Sequence, residues 1–151
     1  MAEMVPDRIP SRASRGEKRL FSILQELPDN FIVYYEPIIE NRYPDFIIIA
    51  PTLGVLVVEV KGWYKGDIIQ ADNNTIVIKD EGRQGRQVRQ KHPVRQAREY
   101  MCSLMDECRR IHLNKTLIEG NGEYEGRFKF PFANFAVLNN ITQEQLIDMG
   151  L

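Results

Sequence analysis

The chain reads as one α/β domain, a mixed β-sheet flanked by helices. Three features point to it. Two apolar runs, Asp45–Ala50 and Val55–Lys61, are joined by the bend Pro51-Thr52-Leu53-Gly54 and form an antiparallel strand pair. A segment with apolar residues at helical spacing lies before that pair, and a longer one lies after it. The 151 residues, 43% hydrophobic and 27% charged, suffice for one globular domain with a core of its own.

Taken in order, residues 1–13 are polar, carry Pro6 and Pro10, and are expected to form a flexible arm. Ser14 is placed to cap a helix from about Arg15 to Leu27, with Leu20, Phe21, Leu24 and Leu27 as its apolar stripe. Glu17 lies one turn before Leu20 and Phe21 on the same face, so its carboxylate points along the buried side. Pro28-Asp29-Asn30 stops the helix. Strands follow at Phe31–Glu36, Asp45–Ala50 and Val55–Lys61. A second hairpin pairs Asp67–Gln70 with Thr75–Lys79 around Asp72-Asn73-Asn74. Residues 81–92 read as a basic, glycine-bearing loop. Pro93 suits the first turn of a long helix reaching Ile111, with Ala97, Met101, Leu104, Cys108 and Ile111 as its core stripe. Residues 114–131 read as loop or short strand, and Phe132–Leu138 as a buried strand. Thr142-Gln143-Glu144-Gln145 matches a capping box, with Ile141 and Leu146 as its staple. A helix that starts so near Leu151 suggests a domain cut from a longer protein.

Composition narrows the setting. Cys102 and Cys108 sit six residues apart on one helix, about 9 Å along its axis. That spacing rules out a disulfide between them and suggests a reducing compartment. His92 and His112 lack zinc-ligand spacing. No apolar run nears the ~20 residues of a membrane span. The first residues lack the basic-then-apolar order of a signal peptide, so the cytoplasm is the expected location. A net charge of −1 means that any site for a polyanion must arise from local clustering.

The chemistry lies in the strand pair. Asp45, Glu59 and Lys61 are charged residues in otherwise apolar strands, where an unpaired charge is costly. Residues two apart on a strand face the same way, so Glu59 and Lys61 share a face and the hairpin brings Asp45 beside them. Two hard carboxylates suit Mg²⁺ or Mn²⁺, with the Val60 carbonyl as a further ligand. Lys61 can position or deprotonate an attacking water. The alternative is an ion pair that only joins two strands. Of the seven lysines, Lys61 alone follows an acid by two positions.

Pro44-Asp45 followed by Glu59-Val60-Lys61 resembles the PD-(D/E)xK nuclease superfamily. Within it the chain resembles the nuclease-related domain (NERD) family, from Gly16-Glu17 through Val60-Lys61-Gly62-Trp63 to His92-Pro93-Val94-Arg95-Gln96. The resemblance implies a restriction-endonuclease-like fold, a mixed central β-sheet flanked by helices, over residues 14–151. It also implies a metal-dependent deoxyribonuclease that leaves a 5′-phosphate, often placed as the N-terminal part of a helicase-containing protein. Residue by residue it implies Asp45 and Glu59 as metal ligands, Lys61 as the catalytic lysine and Glu17 as a helical acid. Gln96 and Tyr100 match a Gln-x-x-x-Tyr element of RecB-like members.

Gly82 to Arg98 contains Arg83, Arg86, Arg89, Lys91, Arg95 and Arg98 and no acidic residue before position 99, as expected of a track for DNA backbone phosphates. Trp63 and Tyr64 could stack a frayed base or pack under the sheet edge. Two other functions remain compatible with the residues: a nucleic-acid-binding module without catalysis, and a scaffold that docks a helicase or forms a homodimer.

Overall fold

In the computed structural model, which describes residues 1–80, 82, 84–111 and 114–150, the sheet is laid down early in the chain. The first elements are β1 (Glu3–Val5), α1 (Arg15–Gln25), β2 (Ile32–Tyr35), β3 (Phe46–Ala50) and β4 (Gly54–Lys61). A 3-10 turn at Lys65–Asp67 leads to β5 (Ile68–Ala71), β6 (Thr75–Asp80) and β7 (Arg86–Lys91). Then come α2 (Pro93–Arg110), α3 (Asn114–Leu117), β8 (Phe132–Leu138) and α4 (Gln143–Asp148).

The main sheet has five strands in the order β1-β2-β3-β4-β8. β2, β3 and β4 are antiparallel neighbours, whereas β1 runs parallel to β2 and β8 parallel to β4. This is the mixed sheet expected from the sequence. Alternation along the strands sends residues to two cores. Val58 and Val60 of β4, with Phe46 and Ile48 of β3, pack against Phe21 and Leu24 of α1. Val55, Val57 and Ile47 face the other way, onto Ala97, Met101 and Met105 of α2. Both faces are therefore covered, which is why β3 and β4 are almost continuously apolar.

Local signals set the helix ends. Ser14 accepts from the Glu17 N–H while the Glu17 carboxylate accepts from the Ser14 N–H, a complete capping box. His92 caps α2 ahead of Pro93, and Thr142 caps α4. Gly54 opens β4 with φ 102°, and a Cβ there would lie 1.8 Å from the Pro131 carbonyl oxygen. Only glycine permits both that backbone and the approach of β8.

Five expectations change. Ile111, read as the last residue of the α2 core stripe, is the extended C-cap beyond the helix and is 44% exposed. The N-terminal residues are not a loose arm throughout, because Glu3–Val5 pair with β2 and Ala2 is buried against the α1-side core. Three residues beside a proline are too short to show strand periodicity. Arg86–Lys91 are a strand paired with β6, completing a separate three-stranded sheet, rather than loop. Within residues 114–131 a short helix forms, and Ile118 bridges Phe128. β8 is an edge strand rather than a buried one, and Phe135 remains 40% exposed.

Candidate active site

The strand that buries Val55 and Val57 against α2 carries Glu59 and Lys61 further along the same row. Their shared face is confirmed by the ion pair between Lys61 Nζ and Glu59 Oε1, at 3.3 Å. Across the hairpin Phe46 pairs with Val58, so Asp45 stands one step beyond the end of β3, opposite Glu59. There the side chain continues the ladder. The Val60 N–H donates to Asp45 Oδ2 at 2.7 Å. A strand residue points its N–H and its carbonyl to the same neighbour, so the Val60 carbonyl also faces the Asp45 side. Lys61 Nζ lies 5.8 Å from the centre of the Trp63 ring, where a cation–π contact restrains it.

Burial makes these acids unusual. Glu59 is only 3% exposed. Its Oε2 is buried and has no hydrogen-bond partner among the described residues. Burial raises the Glu59 pKa, and Lys61 pulls it partly back. Asp45 is pushed up to about 7, first by burial and then by the negative charge of Glu59, against the Val60 N–H. Two carboxylates in a desolvated corner with a single lysine lack positive charge. An orphaned carboxylate oxygen beside a second carboxylate fits a hard divalent cation such as Mg²⁺ or Mn²⁺.

Two further acids stand at this end of the sheet. Carboxylate oxygens of Glu17, Glu36 and Asp45 lie within 4.8 Å of one another. Glu17 reaches the cluster from the first turn of α1, as its place on the inner helix face anticipated. Glu36 was not singled out from the sequence. Its only signal is an acid, followed by Pro37, closing the apolar run Ile32-Val33-Tyr34-Tyr35.

Gln96 and Tyr100 share one face of α2, and Gln96 Nε2 donates to Tyr100 Oη at 3.0 Å. Neither bonds to Asp45, Glu59 or Lys61 among the described residues. With Arg42, Tyr43, Lys91 and Glu99 they line a cavity of about 480 Å³. The basic run is partly neutralised, which its sequence did not show. Glu99 binds Lys91 at 2.5 Å, Arg95 at 3.5 Å and Arg42 at 3.9 Å. Those cations, Lys91 foremost, hold the Glu99 carboxyl below the usual range. Arg86 and Arg89 are exposed on β7, with Arg86 opposite Asp80 in register. Arg83 lies outside the described residues. Trp63 is half-buried beside Lys61, and Tyr64 is exposed.

The fold and this corner define a class: a mixed sheet between helices, consistent with a restriction-endonuclease-like fold, with acids and a lysine at the end of its central hairpin. A family model described as the nuclease-related domain, NERD, matches residues 12–142. The chain belongs to that family. Comparisons with curated proteins and with solved structures returned no match. No helix among the described residues is long and apolar enough to cross a membrane.

Proposed function

We propose that the domain is a metal-dependent nuclease that hydrolyses phosphodiester bonds in DNA. One observation carries this reading: the buried Glu59 Oε2, without a hydrogen-bond partner among the described residues, beside an Asp45 whose pKa is raised to about 7. Asp45, Glu59 and the Val60 carbonyl would hold Mg²⁺ or Mn²⁺. When bound, the ion supplies Lewis-acid polarisation of a phosphate oxygen and an ionised water at neutral pH.

The chain's own groups do the rest. Lys61, tethered by Glu59 and Trp63, directs a water toward phosphorus and offsets charge on the phosphate oxygens. Attack forms a bond from the water oxygen to phosphorus and breaks the bond to the 3′ oxygen, leaving a 5′-phosphate. The departing oxygen takes up a proton, so the other product is a 3′-hydroxyl. Glu17 adds negative charge that favours a cation at Asp45. Gln96 and Tyr100, in the cavity they line with Arg42 and Tyr43, contact the substrate phosphate. Arg83, Arg86, Arg89, Lys91 and Arg95 form the backbone-phosphate track, with Arg86, Arg89 and Lys91 exposed along one strand, β7. The family resemblance adds a helicase module as the partner that delivers the strand; the cytoplasm, suggested by the free thiols of Cys102 and Cys108, is the proposed location.

The test is cleavage of single- and double-stranded DNA with Mg²⁺ or Mn²⁺. Lys61→Ala should lower the rate by on the order of 10²-fold or more, and Asp45→Ala should abolish it. Equal rates in both variants and the unaltered domain would overturn the assignment.

A further inference from the structure

The segment that joins β2 to β3 leaves the acidic corner and returns to it. The Glu36 N–H donates to the Asp45 carbonyl at 2.9 Å, and Ile39 and Arg42 exchange backbone hydrogen bonds of 2.9 and 2.8 Å. One register therefore runs from the two strands to the tip, and it sets Ile38 opposite Tyr43. Glu40 and Asn41 close the tip with φ 49° and 62°, the two positive values of a type I′ turn. A glutamate holds such a backbone only where its surroundings fix it. Arg110 of α2 pairs with Glu40 at 3.3 Å, Arg42 reaches Glu99 of α2 at 3.9 Å, and the Pro44 side chain is fully buried. The hairpin is thus a fixed finger laid against α2.

Two apolar side chains of this finger are uncovered. Ile38 is 66% exposed and Tyr43 56% exposed. Tyr43 makes no hydrogen bond or ring contact among the described residues. A bare aromatic ring on a loop held by a rigid scaffold is placed for binding. Its position says what it binds. Tyr43 stands two residues before Asp45, about 7 Å along an extended chain. With Arg42, Gln96 and Tyr100 it lines the cavity of about 480 Å³. Small-ligand sites run from roughly 300 to 1,000 Å³, so one nucleotide is of the right size. Glu99 lines the same cavity, and three cations, Arg42, Lys91 and Arg95, share its single carboxylate. The surplus is positive and suits a phosphate, while the ring suits the face of a base. A base inside a duplex has both faces covered by its neighbours, so only an unpaired one can take the ring.

We propose that Tyr43 stacks on an unpaired base next to the scissile phosphate, with Arg42 on the adjoining backbone phosphate, so that the site takes single-stranded or frayed DNA in preference to closed duplex. The inference rests on the nuclease reading above for which phosphate is scissile. It adds the substrate class, which the acids and Lys61 leave open. Ile38, opposite Tyr43, gives the same stacking surface an apolar shoulder.

Fluorescence anisotropy of the full chain in Ca²⁺ tests this on two probes, a single-stranded oligonucleotide and a duplex with ends clamped by G·C pairs. The unaltered protein should bind the single strand about 10-fold tighter or more. Tyr43→Ala should lose about that factor on the single strand and little on the duplex, which also shows that the variant is folded. Tyr43→Phe keeps the ring and should bind both probes as the unaltered protein does. Equal binding of the two probes by the unaltered protein, an unchanged preference in Tyr43→Ala, or as large a loss in Tyr43→Phe would overturn the proposal. If Tyr64→Ala removes the preference and Tyr43→Ala does not, the base is stacked elsewhere and the proposal falls. Cleavage separates this inference from the reading beneath it. Cleavage that depends on Asp45 and Lys61, with strand preference unchanged in Tyr43→Ala, removes the finger and leaves the nuclease. Preference lost in Tyr43→Ala, with cleavage indifferent to Asp45 and Lys61, removes the nuclease and leaves Tyr43 as a contact for unpaired DNA.

Discussion

Asp45 holds together three functions that usually fall to different residues. It ends a strand ladder, accepts the Val60 N–H at 2.7 Å and carries charge beside Glu59. Its pKa of about 7, against an ordinary value of 3.8, ties stability to pH. Because the folded-state value is raised, folding favours the protonated carboxyl. That stability is fully present below the ordinary value and is lost as pH rises through about 7. Asn in place of Asp45 mimics the protonated state at every pH. Metal-free Asp45→Asn should therefore be more stable than the unaltered protein by on the order of 2 kcal/mol at pH 8, with the difference vanishing toward pH 4. Thermal melts across that range in a chelating buffer would show it. A difference independent of pH would mean that Asp45 is ionised throughout.

Among the elements, the β3–β4 hairpin was the most legible in the sequence. Its apolar runs, its bend and its charge positions come from one short, nearly continuous apolar stretch. Both major helices were legible for a similar reason, since their stripes, the Ser14 cap and Pro93 are local signals. β7 was not, because Arg86–Lys91 has only Val88 as an apolar residue and pairs through its backbone with β6. β8 was read at its observed bounds but with the wrong burial, since its place at a sheet edge is a matter of topology. Gly54 governs how β8 docks beside β4. Ala there would need an unfavourable left-handed backbone and would meet the Pro131 carbonyl. Gly54→Ala should cost on the order of 3 kcal/mol, read as a lower urea midpoint at unchanged slope. A cost below about 0.5 kcal/mol would mean that the β8 approach tolerates a side chain.

For the whole molecule, the question is how a chain of net charge −1 meets a polyanion. The structure partitions the basic run. All four are exposed, but Lys91 and Arg95 converge on Glu99, whereas Arg86 and Arg89 are not among its partners in the described residues. Each phosphate contact that is lost should lower the salt slope of DNA binding by about 1. Arg86→Ala with Arg89→Ala should therefore flatten the dependence on salt by about 2, whereas Arg95→Ala should change it less. Anisotropy titrations in Ca²⁺ over a range of salt would measure this. A flatter slope for Arg95→Ala than for the double variant would reverse the assignment of the track.

The sequence by itself determined the layered α/β design, the Ser14 and Thr142 caps and the shared face of Glu59 and Lys61. Each follows from residues a few positions apart, through alternation, helical spacing or a capping side chain. Tertiary structure alone decided that Glu36 and Tyr35 join Glu17 and Asp45, that Arg12 bonds to Glu36, and that Glu99 neutralises part of the basic run. Those partners are brought together by strand order and by the positions of chain ends in the sheet. Long-range pairing of this kind leaves no periodic trace in one chain, because each residue alone is an ordinary exposed acid or base until the fold removes its water.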